Sequence, residues 1–476
     1  MKKINLFAPI LFFLTIFVLG IIKLFYKQID ISLLHQISFG NLLLVLFIGI
    51  SIVMGITESD IVNKPKSAFS IHGLLVSSIA LLLVMSMFHK DVGVNATRFF
   101  IAVTFIYVIL KGKIYALNPI YFLVFAYAFL EFIGTIGTPK GFRFPEITYS
   151  FYLIPVAFSC FRIDKETLLR ILRFLFRIVL IFMAFSVLNW YFSILHTQMG
   201  IVEWISKKAN VNGIAAYEFV CSWSHYTHPS YINLVLIPAL FSGFYIHHKK
   251  QEKSYISQLE LFVFVVLCLF LQLLMESRIG LVGVVFMFII NGLYYLHIKK
   301  IYFKIALIAF LAIGGSGLLV MEHSVNGFIT DPVRKTDSAL AMHYIKDHLW
   351  WGAGHNEEAT VLRQQEKEMI GILPKINQPK TYTHNSVLGT MIQFGIPGAI
   401  VLIAMMAGLL WYSFRSRSYL LQMFVCLYLL FMLIEEPLYV QEGITRFMVF
   451  LAFFIHVSES DKDVKSYTLF NWFPKR

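Results

Sequence analysis

The sequence predicts an all-α, polytopic membrane helix bundle of about 12–14 transmembrane helices with one large outer loop. Three observations lead there. Of the 476 residues, 58% are hydrophobic and only 14% are charged, with a mean hydropathy of +0.73. Soluble domains carry about 25% charged residues, so this chain cannot clothe a water-facing surface of its size. The apolar residues fall into blocks of about 16–25, the length a helix needs to cross roughly 30 Å of hydrocarbon. Lysine and arginine alternate between connections, with 22 on one side and ten in the short loops of the other, the bias that sets orientation.

In chain order the blocks lie near 4–25, 41–57, 71–88, 94–110, 115–136, 148–161, 172–195, 230–246, 259–275, 279–297, 302–321, 386–413, 418–434 and 443–457. They show no apolar/polar alternation, which argues against a β-barrel, and inside lipid a helix then satisfies the backbone. The first block follows Met1-Lys2-Lys3 and has a long apolar run without a small-x-small cleavage pattern, so a retained signal-anchor helix is expected.

With the N-terminus inside, Lys64, Lys66, Lys111, Lys113, Lys249, Lys250, Arg415 and Arg417 fall in inner connections, and both ends of the chain are expected in the cytoplasm. Two outer segments are then large, 196–229 and 322–384. The second is polar, holds Pro332, Pro374 and Pro379, and predicts short amphipathic helices around 338–350 and 357–370. Three parts are expected: an N-terminal transmembrane bundle over 1–321, the large outer loop over 322–384, and C-terminal transmembrane helices with a cytoplasmic tail over 385–476.

Composition also excludes other classes. The formal charge of +13 comes from short-loop anchors, which a membrane explains better than a nucleic acid does. Of four cysteines, Cys160, Cys268 and Cys426 lie in apolar blocks and Cys221 in a polar stretch, giving no disulfide framework and no zinc spacing. No metal and no cofactor is expected.

Four constellations carry chemistry. Thr383-His384-Asn385 stands where the long loop meets the next helix, followed by Gly395-Ile396-Pro397-Gly398. That helix points the positive end of its dipole outward, where an anion is favoured, and a histidine there can accept a proton near neutral pH. The plainer reading is an N-cap at Asn385 or Thr383 and a close-packing glycine face.

Glu276-Ser277-Arg278-Ile279-Gly280 sits in a very short outer loop. Arg278 either snorkels and pairs with Glu276 or faces a phosphate, for which its planar guanidinium is well shaped. Arg334 lies one short helix before Trp350-Trp351-Gly352-Ala353-Gly354 and is a second phosphate candidate or a solvated loop residue. His225 and His228 precede another helix without a third metal ligand. Glu435, Glu436, Glu442 and Arg446 form a last outer cluster, either structural or orienting a basic residue.

Together, Arg278, Arg334, His228 and His384 share one side of the membrane by the charge count. A large anion with a base beside it suits a lipid-linked diphosphate and fits poorly with a channel or pump, whose ionisable residues should line the bilayer interior.

His384-Asn385, nine residues, Gly395, two residues, Gly398 is similar to the H-N-x9-G-x-x-G signature of the O-antigen ligase and O-antigen polymerase superfamily. Ser277-Arg278-Ile279-Gly280 resembles its S-R-x-G element, and Arg334 through Gly354 resembles its outer loop. The resemblance covers roughly 260–400.

It implies a GT-C-like, metal-independent glycosyltransferase in the bacterial inner membrane with its site facing the periplasm. The donor would be an undecaprenyl diphosphate-linked glycan, and the acceptor lipid A-core in a ligase or another lipid-linked repeat in a polymerase. By position, His384 and Arg278 become catalytic, and Arg334, Asn385 and His228 substrate-binding. An arginine expected in the earlier outer loop is missing from Ser222 to His228, so either His228 or Lys208 takes its place or the donor is held differently.

His384 must be neutral to act as a base, and nearby arginines are expected to favour that form. Two rivals remain: a repeat-unit polymerase with the same chemistry, and a lipid-linked glycan transporter or flippase. The latter predicts ionisable groups near the midplane and repeated halves, neither of which is evident.

Overall fold

The computed structural model describes residues 39–58, 70–88, 90–136, 138, 149–197, 210–211, 214–215, 220–224, 229–249, 255–275, 277–295, 332–369, 382–460 and 466–468. The blocks expected at 4–25 and 302–321, and His225 and His228, lie outside them.

Among the described residues there are 14 α-helices. They are α1 Phe39–Glu58, α2 Ile71–Met85, α3 Lys90–Lys111, α4 Tyr121–Ile133, α5 Tyr149–Ser159, α6 Lys165–Thr197, α7 Pro229–Lys249, α8 Gln258–Leu274 and α9 Arg278–Tyr295. The loop helices α10 Pro332–Asp347 and α11 Glu358–Glu368 follow, then α12 Ser386–Arg415, α13 Tyr419–Met432 and α14 Gln441–Glu459. The protein is thus an all-α, polytopic helical bundle, and twelve of the fourteen apolar blocks fall on helices. Four stretches, Val92–Lys111, Lys165–Phe192, Ser230–Lys249 and Ser386–Arg415, are long and apolar enough to cross a membrane.

Local chemistry sets the helix starts. Ser70 accepts from Gly73 N at 3.1 Å ahead of α2, and Ser257 with Glu260 closes a capping box on α8, each meeting backbone donors that a helix start leaves unpaired. Among the described residues, extended structure is confined to β1 Lys113–Tyr115, paired antiparallel with β4 Ser466–Thr468, and to β2 Asn210–Val211, paired with β3 Ile214–Ala215.

The chain divides into two compact units. The first comprises Met1–Tyr115, Cys160–Met287 and Glu459–Arg476. Its centre is α6, buried over most of its apolar length, with α1, α2, α7 and α8 packed on it. Trp223 is surrounded there by Phe47, Phe88, Phe182 and Phe185 and donates its Nε1–H to Ser186 Oγ at 3.1 Å, so the indole's polar tip is satisfied inside an apolar core. Arg177 meets the fully buried Glu260 at 2.9 Å, the pairing a buried charge requires.

The second unit comprises Ala116–Ser159 and Phe288–Ser458. Here α12 packs against α4, α13, α10 and α11. Along it Leu402, Met405, Met406 and Leu409 are buried while Ile400, Ile403 and Trp411 are exposed, so one stripe contacts protein and another suits lipid. Leu340, Ala341, Ile345, Val361, Leu362 and Ile392 form the core that seats the two loop helices on the N-terminal part of α12.

Candidate functional site

The second unit brings His384 and Arg334 to one carboxylate. Glu435, almost wholly buried in the α13–α14 connection, receives Arg334 Nη2 on Oε1 at 2.9 Å and stands 3.2 Å from His384 Nδ1 through Oε2. Arg334 comes from the first turn of α10 and His384 from the residue before the cap of α12. Both are partly exposed, with side-chain exposures of 35% and 27% against 4% for Glu435. The two cations therefore face solvent from a buried anionic anchor. Of the two readings open for the acidic cluster, Glu435 takes the one in which it orients a basic residue.

This geometry corrects the expectation that arginine keeps His384 neutral. Burial alone would lower its pKa, but the hydrogen bond and charge of Glu435 outweigh burial and the opposing Arg334, so the net shift is upward. With Nδ1–H donated to Glu435, the neutral imidazole carries its lone pair on Nε2.

His384 has φ of 55°, a left-handed conformation that costs a residue with a side chain about 1–3 kcal/mol and persists only where neighbours hold it. Asn385 is one of them. Its Oδ1 accepts from Val387 N at 3.0 Å and Leu388 N at 3.1 Å, and its Nδ2 donates to Leu433 O at 3.3 Å. Asn385 is therefore the N-cap of α12, as the plainer reading has it, with both ends of its amide engaged within the protein.

Gly395 has φ of 64° and ψ of −159° inside α12, a region open essentially to glycine alone. The break frees backbone groups that the loop after α10 then meets. Ala353 N donates to Ile392 O at 2.7 Å, Gly354 N to Gln393 O at 2.9 Å, and Ile396 N to Leu349 O at 2.8 Å. A Cβ at Gly395 would lie 2.5 Å from Trp350 O, and one at Gly352 would strike the Gln393 backbone. The glycine spacing thus docks the loop on a broken helix, while Trp350 and Trp351 remain exposed.

In the first unit, Ser277 Oγ accepts from Gly280 N at 3.2 Å and from Asn233 Nδ2 at 2.9 Å, and Gln272 Nε2 donates to Asn233 Oδ1 at 2.6 Å. Any Cβ at Gly280 would overlap both amide side chains. Serine and glycine therefore build a tight start for α9, and Arg278 is its first residue.

Sequence reasoning missed Glu358. This side chain is wholly buried at the start of α11 and accepts from Thr383 N at 2.7 Å. Its position in a polar loop helix made it look like surface charge. A second buried pair, His355 Nδ1 with Glu131 Oε2 at 2.5 Å, was equally hidden.

An apolar multi-helix scaffold with a histidine–carboxylate–arginine constellation at the head of an apolar helix defines a polytopic membrane protein. Residues 263–403 match the family model described as O-Antigen ligase. The match supports placement in the O-antigen ligase superfamily, a family of glycosyltransferase-like enzymes, and with it glycan transfer of the ligase or polymerase type. It spans Arg278, Arg334, His384 and Asn385, and ends before Glu435. No curated protein matches the chain.

Proposed function

We propose that this protein transfers a glycan from undecaprenyl diphosphate to an acceptor hydroxyl at the periplasmic face of the bacterial inner membrane, in the manner of an O-antigen ligase acting on lipid A-core. The observation that carries the reading is Glu435 between His384 and Arg334: a base and a phosphate-binding cation share one buried anchor within reach of solvent.

In this reading the acceptor O–H gives its proton to His384 Nε2 as its oxygen bonds to the anomeric carbon. The bond from that carbon to the diphosphate breaks, and the electron pair leaves with the diphosphate. Glu435 fixes the imidazole's tautomer and strengthens it as a base, and general-base catalysis by the ring is worth roughly 10²–10⁴-fold. Arg334 meets the charge growing on the leaving diphosphate, and the family resemblance gives Arg278 a catalytic role as well; a charge-assisted hydrogen bond contributes about 1.5–3 kcal/mol, and a donor already in place needs no reorganisation. His228 is a further donor contact in this scheme. Asn385 serves substrate by holding the helix start rather than by touching it. The chemistry calls for neither metal nor nucleotide.

Cells carrying His384→Ala or Arg278→Ala should insert the protein normally yet leave surface glycan unattached, and normal attachment in either mutant rejects that residue's role. A gel of the surface glycan distinguishes the acceptors. Loss of a ligase leaves bare core and accumulated lipid-linked polymer, whereas loss of a polymerase leaves a single repeat on the core. Purified protein that moves glycan across liposomes but transfers none would identify a transporter instead.

A further inference from the structure

His384 keeps its left-handed backbone between two residues that are gripped by carboxyl groups from other elements. On one side Thr383 N donates to Glu358 Oε1 at 2.7 Å. On the other, Asn385 N reaches Glu436 Oε1 at 3.4 Å, and Thr383 Oγ1 also donates to Glu436 Oε1. Glu358 comes from α11 and Glu436 from the α13–α14 connection, and both are buried.

Their remaining oxygens converge beneath α12. A Cβ at Gly389 would stand 2.6 Å from Glu436 Oε2 and 3.1 Å from Glu358 Oε2. Glu358 Oε2 is buried without another hydrogen-bond partner, and two carboxyl groups brought together there can pair only when one carries a proton. Burial raises both groups, and the charge of Glu358 raises Glu436 further.

The groups around the pair are Asp337 from α10, His384, Tyr382 and Tyr439 from the flanking loops, and Tyr127 and Glu131 from α4. Glu435, next in the chain, is committed to Arg334 and His384. Protonated His384 favours the ionised form of Glu436, while burial and Glu358 oppose it.

We propose that Glu358 and Glu436, joined by one shared proton, form a clamp that positions the His384 imidazole. The pair grips the amides on either side of His384 and so holds the backbone turn that aims the ring at Glu435. Removing the shared proton sets two carboxylates against each other and opens the clamp. Glu358 and Glu436 are positioning residues, since neither touches the reacting atoms, and the proposal rests on the reading of His384 as the base.

The test uses purified full-length protein in lipid. Glu436→Gln keeps an acceptor for Thr383 and Asn385 and gives Glu358 a permanent donor. It should retain transfer and lose the alkaline fall in kcat that the clamp predicts for the wild type. Glu436→Ala should lower kcat about 10²-fold, the cost of a misplaced reacting group, with little change in KM. Glu358→Gln should behave like Glu436→Gln.

Independently of turnover, an infrared difference spectrum of the wild-type protein between neutral and alkaline pH should show loss of a protonated-carboxyl band that Glu436→Gln removes. An alkaline limb unchanged in both glutamine variants, or no such band in the wild type, overturns the clamp. Wild-type protein that shows the band yet transfers no glycan overturns the proposed function and leaves the clamp standing.

Discussion

His384 Nδ1 lies 3.2 Å from Glu435 Oε2, although 51 residues separate them in the chain. The contact fixes which imidazole nitrogen bears the proton in the neutral form and raises the basicity of the other. Glu435 is engaged by both His384 and Arg334, so in the proposed reaction the buried glutamate does not oppose an anionic donor.

Asn385→Ala removes the cap of α12 and the bond to Leu433 O. Loss of an N-cap costs about 0.5–2 kcal/mol, so thermal unfolding in detergent should shift downward, and Asn385→Asp should largely retain the wild-type midpoint. Abolished transfer by an Asn385→Asp protein of wild-type stability would instead make the amide a substrate contact.

Gly395→Ala places a Cβ 2.5 Å from Trp350 O at φ of 64°. The backbone alone should cost about 1–3 kcal/mol, and the loop from Leu349 to Gly354 should lose its seat on α12. Limited proteolysis should then cut within 349–354 faster than in the wild type. Unchanged cleavage would show that the docking does not depend on this glycine.

Most of the architecture was legible because its cause is one-dimensional. Apolar runs of bilayer length mark helices whatever their neighbours do, and α1 to α9 and α12 to α14 fall on them. The loop helices α10 and α11 were legible from their own periodicity. His384 and Arg334 could be singled out by residue type and spacing, but their common partner could not, since Glu435 joins them across 51 and 101 residues. Glu358 was illegible for the opposite reason: its neighbours Glu357, Arg363 and Gln364 are polar, and only packing on α12 shows that it is buried. The sign of the His384 shift was missed because Arg334 was weighed as a nearby charge while Glu435, noted only as part of an acidic cluster, could not be paired with His384 from spacing alone.

Gly280→Ala should destabilise the start of α9, because its Cβ overlaps the Gln272 and Asn233 amides. Gln272→Ala in the same chain removes part of that overlap, so the double variant should be more stable than the sum of the two single effects predicts. A thermal-unfolding cycle of the four proteins checks this, and strict additivity would mean that Gly280 is present for some other reason.

The proton on His384 also links stability to pH. Its folded pKa is raised, so the pairing with Glu435 stabilises the fold below the ordinary histidine value and this contribution fades as pH rises through the raised one. Glu435→Gln should flatten that part of the stability profile, as read from thermal midpoints across the acidic and neutral range.

The most direct test is the pH dependence of kcat/KM for glycan transfer by reconstituted wild-type, Glu435→Gln and Arg334→Ala proteins. Glu435 raises and Arg334 lowers the His384 pKa, and the neutral ring is the working form. The acid limb should therefore move to lower pH in Glu435→Gln and to higher pH in Arg334→Ala. Acid limbs that coincide in all three proteins would contradict a histidine base held between these two residues.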